Sequence, residues 1–229
     1  MTGRQITRAD IMPMPEYAAI RREQRSRISQ MKKSRRIEVG PYSTFYFENY
    51  DTMWHQIHEM LFVEKGGEAQ IQDELEAYNP LIPNGDELIA TVMFEVPDAA
   101  RRMAVLHMVG GIEHHMTLSI GGETIRGEPD AERENTSEHG KASSVQFVRF
   151  TLTPTQKAAF KSAATPVMIG FDHPRYGHLA AMPCVNSLLI VDNFANVKRV
   201  EKIVAALDVG KPYAMPSCEG DHSAGNASK

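Results

Sequence analysis

Residues 47–83 read FENYDTMWHQIHEMLFVEKGGEAQIQDELEAYNPLIP, and the rest of the chain is arranged around this stretch. It predicts two amphipathic helices in series. Asp51 is placed to cap the first, whose apolar stripe is Met53, Trp54, Ile57, Met60 and Leu61. Gly66-Gly67 breaks it. A second helix over 68–78 buries Ile71, Leu75 and Tyr78. Asn79-Pro80 stops it, because the residue before a proline avoids helical backbone. The same stretch holds the densest set of metal-ligating or acid-base side chains: His55, His58, Glu59 and Glu74.

Upstream, Thr7 to Pro15 is an irregular lead-in to a helix from Pro15 to Arg36, with Tyr17, Ile20, Ile28 and Met31 at helical spacing. Its other faces are basic. Arg21, Arg22, Arg25, Lys32, Lys33, Arg35 and Arg36 are anion-binding candidates; the alternative is a solvated face that pairs with the chain's own acidic segments. No nucleic-acid motif accompanies them, so nucleic acid is not an expected partner. Ile37–Val39 and Ser43–Glu48 alternate as strands around a Gly40-Pro41 turn.

Downstream, one order of elements occurs twice. Leu88–Glu95 reads as a strand, Asp98 caps a helix to about Val109, Ile112–Ile120 is a strand, and Gly121-Gly122 turns into another. Ser144–Leu152, a helix from Thr153-Pro154 to about Ala163, Val167–Phe171 and His178–Ala181 repeat the order. VMFEVPDAARRMAVL and VRFTLTPTQKAAFKS align by pattern, which suggests a duplication; chance recurrence among common α+β elements is the alternative. Between the units, residues 128–143 are polar and predict a mobile loop. Helix returns over Asn186–Leu207, and Pro216–Lys229 reads as a disordered tail.

The expected fold is therefore α+β: a mixed, largely antiparallel sheet made of two strand-helix-strand-strand units, with an N-terminal basic helix, two central helices and a C-terminal helical segment. One domain over 1–210 is expected, comprising a helical part to about 83, the repeated units over 84–182 and helices over 184–210. Residues 211–229 form its tail. With 229 residues and 42% hydrophobic content the chain can bury a real core, and a net charge of -4 selects no partner. No apolar run approaches the roughly 18 residues of a membrane helix. Cys184 and Cys218, the only cysteines, read as reduced thiols in a bacterial-type cytoplasm.

Candidate chemistry follows from spacing. His55 and His58 share a helix face with Glu59, an arrangement a transition metal accepts. Glu74 borders the buried stripe, so it should be paired, either with the basic first helix or against Glu59. Strict alternation in IEHHMTLSI puts His114 in the core and His115 on the polar face. Asp172–His178 is a turn crowded with polar groups. Dinucleotide, phosphate-loop, serine-elbow and zinc-protease motifs are absent from the sequence.

The segments FENYDT with QIHEM, DELEAYN with LIP, ELIATVMFE, SSVQFVRF and DHPRY resemble a bacterial domain family of unknown function that spans nearly the whole chain. The resemblance implies a redox setting, since members' genes lie beside those of rubrerythrin-like and iron-sulfur proteins. It matches the family's polar positions to Glu48, Asn49, Gln56, Glu59, Glu74, Tyr78, Asn79, His115, His173 and Tyr176. His55 and His58 fall outside that pattern, and His114 stands where an aspartate is usual. Two functions are expected: a redox-associated accessory protein that binds a rubrerythrin-like or iron-sulfur partner, or a metal-dependent enzyme or carrier. The second would use Glu59, Glu74, His115 and His173 to hold iron, manganese or zinc.

Overall fold

The computed structural model describes residues 5–162 and 164–182, together with the backbone of 192–193. The expected helix and tail beyond residue 183, with Cys184 and Cys218, lie outside the described residues. The basic helix is α1, Met14–Lys33, and buries Tyr17 and Ile28. Strands β1 (Arg36–Val39) and β2 (Ser43–Phe47) lead into α2 (Tyr50–Glu64) and α3 (Glu68–Tyr78). The repeated units follow as β3 (Glu87–Phe94), α4 (Ala99–Met108), β4 (Met116–Ile120) and β5 (Glu123–Arg126), then, after a short β6 (Glu128–Pro129), β7 (Val145–Thr151), α5 (Pro154–Lys161), β8 (Val167–Phe171) and β9 (His178–Ala181). Asp192–Asn193 adds β10 beside β9.

The strands divide between two five-stranded antiparallel sheets, one in the order β1-β2-β3-β7-β6 and the other β10-β9-β8-β4-β5. Each unit gives its first strand to the first sheet and its hairpin to the second. Thr91 pairs with Phe147, one position before the aligned VMFEV and VRFTL segments, and Leu118 with Ile169 centres the β4–β8 pairing. A local two-fold axis would produce this register. The two units thus hold equivalent places, as their sequence patterns suggest.

Alternation supplies the sandwich core. Phe45, Val92, Phe94, Val148 and Phe150 of the first sheet face Met116, Leu118, Ile169 and Phe171 of the second. The outer face of the first sheet carries a second core, in which Ile89 packs with Met53, Ile57, Leu61, Ile71 and Leu75 of the helices. Tyr176 ties the sheets together: its hydroxyl donates to Val39 O at 2.9 Å and accepts from the Tyr42 N–H at 3.0 Å. Gly170 permits β9 to lie close, since a Cβ there would stand 2.1 Å from His178 O.

Three expectations are corrected. Asn49, not Asp51, caps α2: its side chain accepts from Thr52 N, and Thr52 Oγ1 accepts from Asn49 N, both at 2.9 Å. Asp51 sits in the first turn and pairs with Arg27 at 3.5 Å. Secondly, Ile112–His114 is a turn of 3-10 helix, and the strand starts only at Met116. Gly111, at φ 83°, bends the chain left-handed there, so alternation does not reach His114, which is exposed rather than in the core. Thirdly, residues 128–143 form a hydrogen-bonded loop. Asp130 accepts from the Glu132 N–H and Arg133 Nε, Asn135 Nδ2 donates to Asp130 O, and Thr136 bridges to a fully buried Ala142. Its polar side chains order it through local hydrogen bonds, where composition anticipated only missing apolar burial.

The cap correction predicts that Asn49→Ala lowers unfolding free energy by about 1 kcal/mol in denaturant melts, and Asp51→Ala by less than about 0.5 kcal/mol.

Candidate functional site

On the outer face of the first sheet, register aligns Tyr46 of β2, Thr91 of β3 and Phe147 of β7 in one row, with Met93 opposite Val145 in the next. The helical core covers Ile89 but leaves these rows open. A cleft of about 750 Å³ results, walled by Met53 and Gln56 of α2, Tyr78 at the end of α3, Lys32 in the last turn of α1, and Arg133 and Glu134 of the 128–143 loop. Arg133 stacks on Phe147 at 4.4 Å, and both also line a neighbouring hollow of about 440 Å³.

Glu48 lies in this cleft, where β2 ends and the chain turns into the α2 cap. It is 3% exposed. Its Oε1 accepts from Thr91 Oγ1 at 2.7 Å, while its Oε2 is buried with no hydrogen-bond partner among the described residues. The adjacent Arg35 is spent elsewhere, donating to the backbone carbonyls of Phe47 at 2.9 Å and Glu48 at 3.1 Å. Burial lowers the pKa of that guanidinium, with Glu48 and Asp51 opposing the shift. A buried acceptor without a donor costs about 1–3 kcal/mol, and more when charged. Gln56 Nε2 and the Tyr78 hydroxyl, 3.4 Å apart, stand on the helical wall.

A second cluster joins α1 to α2. Glu59 accepts from Arg21 Nε and Nη2 and from the Tyr17 hydroxyl, each at 2.8 Å. With the tyrosine proton on Glu59, His55 Nδ1–H donates to the Tyr17 oxygen at 3.1 Å. The bonds from Arg21 hold the Glu59 carboxyl below its ordinary range; burial pushes Tyr17 upward, reinforced by its bond to Glu59. His58 is fully buried, accepts from Met12 N at Nε2 and faces Trp54 O with Nδ1 at 2.7 Å, so its proton is on Nδ1. Burial lowers the pKa of both histidines. The acidic partners of the basic helix are therefore Glu59 and, at Arg27, Asp51, whereas Glu74 accepts from Gln70 Nε2 at 2.7 Å.

The third cluster lies at one end of the second sheet. Arg126 grips Asp172 through two bonds of 2.7 Å, and Asp172 Oδ1 is 2.8 Å from His115 Nδ1. Arg126 first, then His115, draws the Asp172 carboxyl downward. The carboxylate accepts from Nδ1–H and so sets the orientation of the ring. His173 meets the His115 ring edge-on at 5.0 Å. Its nitrogens face Gly110 O and Arg175 N, each at 3.3 Å, and burial lowers its pKa.

Of the four expected ligands the structure brings only His115 and His173 together, while Glu59 and Glu74 bond elsewhere, and no three His, Cys, Asp or Glu residues among the described residues gather as a metal site. Among the other candidates, Glu48, Gln56 and Tyr78 converge in the cleft. Asn49 is a cap, Asn79 pins the backbone of Ile6 at 2.8 and 2.9 Å, and Tyr176 ties the sheets. Of the basic set, Lys32 lines the cleft, Arg21 and Arg35 are engaged, and Arg22, Arg25, Lys33 and Arg36 are exposed. Thr91, Arg133, Arg126 and Asp172 were not singled out by sequence; only the crowding of polar groups in the DHPRY turn pointed toward Asp172.

The fold and its cleft define an α+β protein of a family without an assigned activity. Residues 5–189 match the DUF3501 family, described as protein of unknown function, and the chain belongs to it. A crystal structure of a novel protein of unknown function from Burkholderia pseudomallei K96243 is similar, with a TM-score of 0.71 and 37% identity over 78% of this chain and 92% of that one. A 95-residue stretch, 42% of this chain, is 30% identical to secretin XcpQ of Pseudomonas aeruginosa, and it spans only 14% of that relative's length. No helix among the described residues is long and apolar enough to cross a membrane.

Because the folded state depresses the Glu59 carboxyl below its ordinary 4.5, its contribution to stability is complete above that pH and is lost as pH falls through the folded value. Thermal melts of Glu59→Gln should therefore show a shallower loss of Tm below about pH 4.5 than the unaltered protein. His114→Ala, at an exposed position, should change stability by less than about 0.5 kcal/mol.

Proposed function

We propose that this is a small-molecule binding protein, and that its ligand enters the cleft and presents a nitrogen donor to Glu48. One observation carries this reading: Glu48, buried and bordering a ligand-sized cavity, has a carboxylate oxygen without a donor among the described residues. Cavities of roughly 300–1,000 Å³ suit small ligands, and a few convergent polar groups orient what they hold. Thr91 holds one carboxylate oxygen, and the other is the atom that the ligand's nitrogen would meet. An ammonium or amidinium is the complementary chemistry, because a charge-assisted bond recovers the desolvation that Glu48 has already undergone.

The redox-accessory role and the rubrerythrin-like or iron-sulfur partner rest on the gene neighbours that the resemblance implies. No arrangement of the described side chains adds to them. For the metal-dependent alternative, His115 and His173 adjoin, but no third His, Cys, Asp or Glu among the described residues gathers with them.

Screening organic amines by thermal shift tests the reading. At about a hundredfold excess over Kd a ligand adds about 2.7 kcal/mol, or roughly 5–10 °C in Tm for a chain of this size. Glu48→Gln keeps an acceptor for Thr91 and removes the unpaired charge. The variant should be at least as stable as the parent without ligand and should lose the amine response; an undiminished response would refute the assignment.

A further inference from the structure

We infer that the ligand of this cleft is zwitterionic, with a cationic nitrogen at one end for Glu48 and an anionic group at the other for Lys32. The inference rests on the reading of the cleft as a binding site and adds the class of molecule it takes.

Four charged side chains line the cleft: Glu48, Lys32, Arg133 and Glu134. Arg133 is already engaged, donating to Asp130 Oδ2 at 3.0 Å and Ala77 O at 3.2 Å. Glu134 is exposed at the rim. Arg35, the nearby half-buried cation, is bound to two backbone carbonyls. Lys32 remains. Among the described residues it joins no ion pair, and its ammonium rests 5.9 Å from the centre of the Tyr46 ring. Among the described residues the cleft therefore contains one unpaired carboxylate oxygen and one unpaired ammonium, which form no ion pair with each other.

A ligand with only an amine would answer Glu48 and leave Lys32 as it is. One with only an anion would answer Lys32 and face the Glu48 charge. A molecule with both ends completes both groups, and its body would lie against Met53, Met93 and Phe147. The depth of each group sets the orientation. Glu48 is buried, so the nitrogen enters first, while half-buried Lys32 takes the anionic end nearer solvent.

Calorimetric titration of the full chain with matched probes tests this. The ω-amino acids from 3-aminopropanoate to 8-aminooctanoate are compared with alkylamines and alkanoates of the same lengths. At the length that spans the two groups, the amino acid should bind at least about tenfold more tightly than the amine, with the alkanoate weakest. Lys32→Met should bring that ratio to about one, Lys33→Met, on the exposed face, should leave it intact, and Glu48→Gln should abolish amine and amino-acid binding alike. If amines bind as tightly as amino acids, or if Lys32→Met preserves the ratio, the zwitterion assignment fails and the Glu48 site stands. If no probe binds the unaltered protein at millimolar concentration, both fail.

Discussion

The first sheet must be covered on both faces, and the rest of the structure depends on how that is done. Along β3, Ala90, Val92 and Phe94 enter the sandwich, while Ile89 goes to the helical layer. Each large apolar side chain buried this way stabilises the fold by about 1.5–3 kcal/mol, so both layers are strongly held. The helices cover the outer face only as far as Ile89. Beyond it, Thr91 and Met93 line a cleft, and Glu48 is drawn beneath its surface where β2 ends. The apolar packing around it offsets the cost of an orphaned carboxylate oxygen, which is how binding sites retain locally unfavourable groups.

Helix α1 is placed by polar contacts more than by an apolar stripe, for only Tyr17 and Ile28 are buried on it. Tyr17 and Arg21 converge on Glu59, and His58 receives the Met12 N–H just before the helix begins. Farther along, Ile28 is buried and Arg27 pairs with Asp51, so the helix is also held in the turn that leads to Lys32. Glu59, which spacing presented as a metal or catalytic candidate, joins α2 to this helix through Tyr17 and Arg21.

Much of the fold was legible because its signals are local. Asn79-Pro80 ends α3 at Tyr78, although Asn79 itself keeps helical backbone at φ -58° and ψ -38° and opens a 3-10 turn, and alternation marks β1 and β7. Errors arose where two local signals compete. Asn49 and Asp51 can both cap a helix, and Thr52, three residues after Asn49, completes a reciprocal pair with it. The IEHH segment satisfies strand alternation, yet the left-handed Gly111 before it starts a 3-10 turn. The site was less legible. Its groups come from α1, β2, β3, α2, α3 and a loop, and whether a carboxylate lacks a partner is a property of packing that no residue pattern records. Glu48, Gln56 and Tyr78 were visible only through family resemblance; the Glu59–Arg21 pairing, spanning 38 residues, had no sequence signal beyond charge.

The central claim is that Glu48 Oε2 awaits a donor from outside the chain. A crystal structure grown with the spanning ω-amino acid tests it most directly. The account predicts ligand density in the cleft with its nitrogen about 2.7–3.0 Å from that oxygen. Density elsewhere, or Glu48 Oε2 already met by one of the chain's own side chains with the cleft closed over it, would contradict the account.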